Sequence, residues 1–386
     1  MNRKLSVCHI STFPPTQCGI AVYAEDLIQS LSDVISTRIR LSYDGGIDPA
    51  FEKTIDIQRK SSYDGAVAYV NESVGIDLVS IQHEFGLFGG RAGAFALKLA
   101  SGIRKPIVTT LHTLSGRMDR RHKRVIEELS SRSSRVVVLT KGSAQTLIHH
   151  FAVPESKVEV IRHGVPEVDF RRPESCDSRK ALDASVVFVS AGHLRRSKGY
   201  HVALEALARY KEIDAHFKYV ILGTHRPQGP AYAAYRFELE RAIARLGLEE
   251  NVVRVDSYLS RNEMLERIIG ADIGLVTYTE EGQNASGILP LFLGCGRVVI
   301  STAFECARSI HKDVPGLFLA EVNNPESVFR LMAKIAPDKD LLSKLMAANY
   351  RDTRGWVWAR SAEQYKRVFE ECVQQLNPSE PETRGR

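Results

Sequence analysis

The sequence predicts an α/β protein of two doubly wound, parallel-sheet domains. Short apolar runs of strand length alternate with longer segments of helical period. The alternation breaks at a polar interval near residue 171 and then restarts. A chain of 386 residues with 44% hydrophobic content also exceeds what one ordinary core accommodates.

The elements follow in order. LSVCHIS at residues 5–11 reads as a buried strand, and Pro14, Pro15 and Gly19 make a turn before an amphipathic helix over 21–31. Further strands are expected at 37–41, 77–82, 106–111, 135–140 and 158–162, with helical patterns at 92–99 and 123–129 between them. Such alternation implies a parallel sheet covered on both faces. The interval 171–183, carrying Arg, Pro, Glu, Ser and Asp, divides a first domain of 1–170 from a second of 171–355. There, strands are expected at 186–190, 218–222, 252–255, 273–277 and 298–301, alternating with helices at 200–210, 232–246 and 261–269. Helices at 325–335 and 339–350 close the domain. Residues 356–386 form a last helix with both tryptophans and a frayed tail.

The formal charge of +6 is modest, and the basic residues are interspersed with 46 acids, which argues against nucleic acid as a partner. A phosphorylated small molecule or an anionic lipid surface suits this balance. The six cysteines are scattered without zinc or disulfide spacing and are expected to be reduced and mostly buried. No apolar run reaches bilayer length and the N-terminus enters a strand directly, so a cytoplasmic location is expected.

Open parallel sheets bind ligands beyond the carboxyl ends of their strands, so two such domains face to face are expected to share one cleft with the active site in it. Several loops fall at those ends. Gly19, after the opening strand, either lets backbone N–H groups approach a ligand or makes a plain tight turn. In His83-Glu84-Phe85-Gly86 a histidine beside a glutamate can handle protons, and Phe85 and Phe88 offer flat surfaces to a sugar or base. The same pair can instead merely hydrogen-bond the loop, although three glycines in five residues suggest a segment shaped for contact. His112 lies just past a strand end. Arg195-Arg196-Ser197-Lys198-Gly199 follows the first strand of the second domain, where Lys198 can meet a diphosphate in front of a helix N-terminus. Residues 279–302 set a polar turn, an apolar helix and a Val-Val-Ile strand in succession, so that Ser286, Gly287 and Ile288 stand at a helix mouth suited to an anion.

These residues together resemble a known family. The chain is similar over nearly its whole length to retaining glycosyltransferases of family four, which have the GT-B architecture of two Rossmann-like domains across a cleft. The resemblance rests on the Gly19 loop, His112, Lys198-Gly199 opening a helix, Ile161-Arg162-His163-Gly164-Val165 at the domain join, Gly223-Thr224-His225, and Gln283-Asn284-Ala285-Ser286-Gly287 through Gly296. It implies that the C-terminal helix crosses back to the first domain. Two departures stand out. The usual Gly-Arg-Leu is Gly192-His193-Leu194, with Arg195 or Arg196 as substitutes, and the usual pair of glutamates falls at Gln283 and Leu291. A subgroup of similar enzymes carries Gln followed by Ser-Gly here, together with a His-Glu-Phe-Gly loop, so the substitution reads as a subtype mark.

By this resemblance a sugar leaves a nucleotide diphosphate with retention of configuration. His112, Lys198, Glu281 and Gln283 are the implied catalytic residues. Gly19, Arg195, Arg196, Lys198, Ser286, Gly287 and Ile288 would hold the diphosphate and sugar, while Gly223, His225, Arg226, Tyr258 and Leu291 would hold the nucleotide. The loop of His83, Glu84, Phe85 and Gly86 would lie on the acceptor side. No metal or other cofactor is expected, since no Asp-x-Asp triplet sits in a suitable loop. The donor is expected to be GDP-mannose or a UDP-sugar, and the acceptor a glycan or a lipid-linked molecule. The basic run at 116–124 either faces an anionic membrane or is a solvated helix start. An epimerase or phosphorylase of the same fold, and a non-catalytic nucleotide-sugar-binding protein, are the alternatives.

Overall fold

The computed structural model describes residues 3–115, 118–224, 230–255, 257 and 259–375. The chain separates into two units, Met1–Gly164 with Trp358–Arg386, and Val165–Val357.

The first unit begins β1 (Leu5–Ser11), α1 (Gly19–Ser30), β2 (Val34–Ser42), β3 (Lys53–Asp56), α2 (Lys60–Glu72), β4 (Leu78–His83) and α3 (Ala96–Gly102). It continues with β5 (Ile107–Leu111), α4 (Arg120–Arg132), β6 (Arg135–Val138), α5 (Lys141–Phe151) and β7 (Val158–Val160). Its sheet runs β3-β2-β1-β4-β5-β6-β7 with every pair parallel. Strand order reverses between β1 and β4, the place where such sheets open a crevice at their carboxyl ends. The strands LVSIQH and IVTTL are buried at every residue, as expected of central strands covered on both faces.

The second unit holds α6 (Asp177–Lys180), β8 (Val187–His193), α7 (Tyr200–Tyr210), β9 (Lys218–Thr224), α8 (Pro230–Arg245), β10 (Val252–Val255) and α9 (Arg261–Ile269). After these come β11 (Ile273–Val276), α10 (Ile288–Gly294), β12 (Val298–Thr302), α11 (Glu305–Ile310), β13 (Leu317–Ala320), α12 (Pro325–Ile335) and α13 (Lys339–Asp352). Its all-parallel order, β10-β9-β8-β11-β12-β13, reverses between β8 and β11. Two doubly wound parallel sheets are therefore present, as the sequence predicts.

The last helix, α14 (Trp358–Gln374), belongs to the first unit, again as expected. Tyr365 on α14 fixes it there: its hydroxyl lies 2.9 Å from that of Tyr23 on α1 and 2.9 Å from Oγ1 of Thr110 on β5.

Some boundaries differ from expectation. The units part at Gly164 and Val165, six residues before the expected position, because residues 165–171 are fastened to the second unit. Val165 N–H donates to the Trp356 carbonyl at 2.8 Å, Tyr350 donates to the Val168 carbonyl, and the buried Arg297 guanidinium donates to the Arg171 carbonyl. Three further Arg297 hydrogen bonds reach the carbonyls of Ile269, Ala271 and Cys295, so four of its five N–H donors meet backbone oxygens. The helix expected over 92–99 starts only at Ala96, since Ala92 (φ 55°) and Gly93 (φ 69°) break the helical path. The edge strands β3 and β13 and the helices α2 and α5 have no counterpart in the sequence reading. All six cysteines are thiols outside any disulfide, and five are buried.

Candidate active site

Both reversal points carry the residues singled out by the sequence, and each unit builds its own cluster.

In the second unit, residues 195–199 leave β8 through a short 3-10 turn, Arg196–Lys198, and enter α7 at Gly199. Gly199 sits at φ 69°, and a Cβ there would fall 1.7 Å from the Thr277 carbonyl oxygen, so only glycine lets the loop lie against the end of β11. Thr277 Oγ1 donates to the Gly199 carbonyl at 2.8 Å and Thr279 N–H donates to Ser197 O at 3.0 Å, locking the two loops together. The result holds the Lys198 ammonium 3.7 Å from the centroid of the Tyr278 ring. Tyr278 is buried, stacks on Phe304, and places its hydroxyl 3.3 Å from that of Ser286. Ser286 Oγ in turn accepts from Leu289 N–H at 3.2 Å, which satisfies a first-turn donor of α10 from two residues before the helix. Tyr278, absent from the sequence reading, is thus what brings Lys198 and Ser286 together. An aromatic residue just after a strand facing a lysine loop was the available signal.

The other cations divide. Arg196 is paired with Glu238, whereas Arg195 and Lys198 have no carboxylate partner among the described residues. Glu281 and Gly287 are exposed, and Ile288 is half-buried at the first position of α10. Gln283 donates its side-chain amide to the Ala285 carbonyl at 2.9 Å, and its own carbonyl accepts from Cys306 N–H, so it shapes the turn before α10. Leu291 packs in part against the apolar core and offers no acceptor to a ribose hydroxyl. Gly223 pairs with Gly192 across β8 and β9 and is pressed against Leu194. His225, Arg226 and Tyr258 lie outside the described residues, as do Gly116 and Arg117 of the basic run.

In the first unit, Gly19 is the first residue of α1, capped by Cys18, whose sulfur accepts from Ala21 N–H. A Cβ on Gly19 would meet nothing within 4 Å, so the space beside it is open. His112, 7% exposed, follows β5, and its Nε2 is 2.8 Å from Oε1 of Gln82 on β4. The Tyr23 ring stands edge-on to it at 4.8 Å, and edge-on to His163 and Trp358 as well. Burial pushes the His112 pKa down to about 3, helped by neighbouring His163 and His83, so the imidazole is neutral at physiological pH.

The 83–90 loop is built differently from expectation. The His83 ring is fully buried, stacked on Phe88 and edge-on to Phe85, and neither of its nitrogens has a hydrogen-bond partner among the described residues. Its pKa is pushed down to about 3 by burial alone, and an inaccessible neutral ring does not trade protons with a ligand. Glu84 accepts from Phe85 N–H and from the Thr113 hydroxyl, joining this loop to the one after His112. Its carboxyl is raised by burial. Gly86 is exposed, with open space beside it. Gly89 proves to be a packing glycine, since a Cβ there would stand 1.8 Å from the Ile57 carbonyl oxygen.

Comparison with known proteins places this geometry. The profile described as Glycosyltransferase Family 4 matches residues 58–168, and that described as Glycosyl transferases group 1 matches residues 174–352. The chain belongs to the family-four glycosyltransferases.

Solved structures superpose on nearly the whole chain at low sequence identity. The Anabaena HepE protein, crystallised with UDP, superposes with a TM-score of 0.75 at 15% identity, covering 95% of this chain and 100% of that one. Sucrose-phosphate synthase from Thermosynechococcus elongatus gives 0.75 at 15% identity, covering 97% and 100%. Among curated relatives, a D-inositol 3-phosphate glycosyltransferase of Streptomyces bingchenggensis is 23% identical over 281 residues, 67% of this chain and 60% of the relative. A putative colanic acid biosynthesis glycosyltransferase of Escherichia coli, WcaL, is 27% identical over 47% of this chain. The match spans 41% of the length of WcaL, so these relatives are longer than the region they share with this chain.

Proposed function

We propose that this protein is a retaining glycosyltransferase that moves a sugar from a nucleotide diphosphate sugar to a glycan or lipid-linked acceptor during polysaccharide or glycoconjugate synthesis. The observation that carries the reading is the Lys198–Tyr278–Ser286 arrangement at the reversal point of the second sheet. As the glycosidic bond stretches, charge gathers on the departing diphosphate, and a preorganised cation beside it lowers the barrier. Lys198, with Arg195 three residues before it in the same loop and neither paired with a carboxylate among the described residues, supplies that charge. The start of α7 adds its dipole.

Protein cations in this role make a divalent ion dispensable, and among the described residues no three His, Cys, Asp or Glu side chains gather as a metal site. His112, neutral and half-wrapped by Tyr23, is assigned to the sugar, and the open space beside Gly19 to the diphosphate or acceptor. Glu281, exposed, and Gln283 are assigned to the sugar hydroxyls. Mannose is the first candidate sugar, and the UDP complexes of HepE favour testing UDP-sugars alongside GDP-mannose. No described helix is long and apolar enough to cross a membrane. At the start of α4, Lys123 and Arg124 are paired with Glu127 and Glu128, which leaves the exposed Arg120 and Arg121, without an ion-pair partner among the described residues, for a peripheral contact with anionic lipid at the cytoplasmic face.

A second reading, a non-catalytic nucleotide-sugar-binding protein, is favoured by Gln283 and Leu291 standing where the family carries acids. A thermal-shift screen of UDP-glucose, UDP-galactose and GDP-mannose, followed by slow-hydrolysis assays of the best binder in excess chelator, separates the two. Binding with turnover supports the transferase. Binding without any turnover supports the second reading, and a strict requirement for manganese or magnesium defeats the metal-free mechanism.

A further inference from the structure

His112 has one ring nitrogen committed before any ligand arrives. Its Nε2 meets Oε1 of Gln82 at 2.8 Å, and a carboxamide oxygen only accepts, so the proton of this contact sits on the imidazole. Gln82 is 1% exposed, and its own amide nitrogen has no partner among the described residues. An unmet buried donor costs stability, a cost that an apolar residue of similar shape at this position of β4 avoids. The side-chain hydrogen bond that Gln82 does make among the described residues is the one to His112. The Tyr23 ring packs edge-on against the imidazole at 4.8 Å.

We propose that Gln82 is a positioning residue that holds His112 as the Nε2–H tautomer, leaving Nδ1 as a hydrogen-bond acceptor for a hydroxyl of the bound sugar. An acceptor nitrogen selects what it meets: a hydroxyl donates to it, whereas a phosphoryl or carboxylate oxygen is repelled. Burial among His163 and His83 keeps the ring unprotonated near neutrality, so this selectivity persists across that range. The inference rests on the proposed function for the identity of the group at Nδ1, but not for the tautomer.

The test uses the full chain labelled with 15N-histidine, with the His112 signals assigned by their loss in His112→Asn. The wild type is expected to show the Nε2–H pattern. Gln82→Met, similar in volume but unable to accept the proton, is expected to release the ring into a mixture or into the Nδ1–H form. Gln82→Glu is expected to keep Nε2–H and to move the His112 titration to higher pH. With UDP-glucose or GDP-mannose as probe, binding should weaken at least about tenfold in Gln82→Met, and in Gln82→Glu it should recover as pH is raised past the new titration.

A wild-type Nδ1–H pattern, the result if the Gln82 carboxamide donates rather than accepts, overturns the proposal. So does an unchanged tautomer in Gln82→Met. Should Gln82→Met fail to fold, an unmoved His112 titration in Gln82→Glu overturns it equally. An Nε2–H wild type that binds neither nucleotide sugar upholds the tautomer and sinks the sugar contact.

Discussion

The Lys198 ammonium rests 3.7 Å from the centre of the Tyr278 ring, a residue whose hydroxyl reaches the serine that caps the next helix. A cation on an aromatic face is held without being neutralised, which is how a charge awaiting an anionic ligand is kept ready. Lys198→Ala should therefore lower turnover about 100- to 1,000-fold. The same change should move unfolding stability by no more than about 1 kcal/mol, the worth of an exposed cation–π contact. Steady-state rates with the identified donor, beside urea unfolding, measure both; near-normal turnover in the variant would remove Lys198 from the diphosphate site.

Gly19 and Gly199 should behave oppositely. Gly199→Ala forces a Cβ onto the Thr277 carbonyl in a left-handed conformation and should destabilise the second unit by several kcal/mol. Gly19→Ala meets open space and should leave stability within about 1 kcal/mol of wild type. If the space beside Gly19 holds substrate, that variant should still lose at least tenfold in rate, roughly 1.4 kcal/mol of transition-state stabilisation. A fully active Gly19→Ala or Gly19→Val would show that the space is empty during catalysis.

Tyr365→Phe removes the hydroxyl that links Tyr23 to Thr110 and leaves both buried groups short of a partner. A loss of about 1–3 kcal/mol in unfolding free energy is expected. Because Tyr23 also walls His112, weaker donor binding should accompany it. Chemical denaturation and donor titration on one preparation show whether the two effects travel together.

Acid should destabilise the fold well before the carboxylates titrate. His9, His83 and His112 are held near pKa 3 and His163 near 4, all from 6.5 and all chiefly by burial. The unfolded chain takes up these protons first, so the stability is fully present above about pH 6.5 and is lost progressively as pH falls toward 3. Each such group contributes a slope of up to about 1.4 kcal/mol per pH unit in that window. Glu84 and Asp272, both raised by burial, bind protons more readily when folded and oppose the slope at its lower end. Urea midpoints at pH 7.5, 6.5, 5.5 and 4.5 test the sign; midpoints that hold steady down to pH 4.5 would mean that these rings are solvated.

The sheet architecture was legible because central strands such as residues 78–83 and 107–111 carry apolar residues on both faces and stand out from any surface segment. The edges were not. KTID of β3 is short and polar enough to pass for a turn, and its pairing with β2 comes from tertiary contact. Within the site, Lys198, Ser286 and His112 could be placed from their position after strands. Their partners could not: Tyr278 and Gln82 act across loops and across neighbouring strands, a relation no local pattern encodes. His83 shows the converse. Its neighbours in sequence suggested exposed chemistry, but a histidine flanked by Phe85 and Phe88 was buried by them.

The fold of the first unit also fixes a timetable. Tyr23 and Tyr365 are 342 residues apart, and the whole second unit is synthesised between them. At roughly 5–20 residues per second, the ribosome delivers the last piece of the first unit about 17–70 s after Tyr23. Val165–Val357 can complete its own core before that piece arrives. The unit that starts first is the one that finishes last, and for that interval its Tyr23 face waits without the helix that covers it.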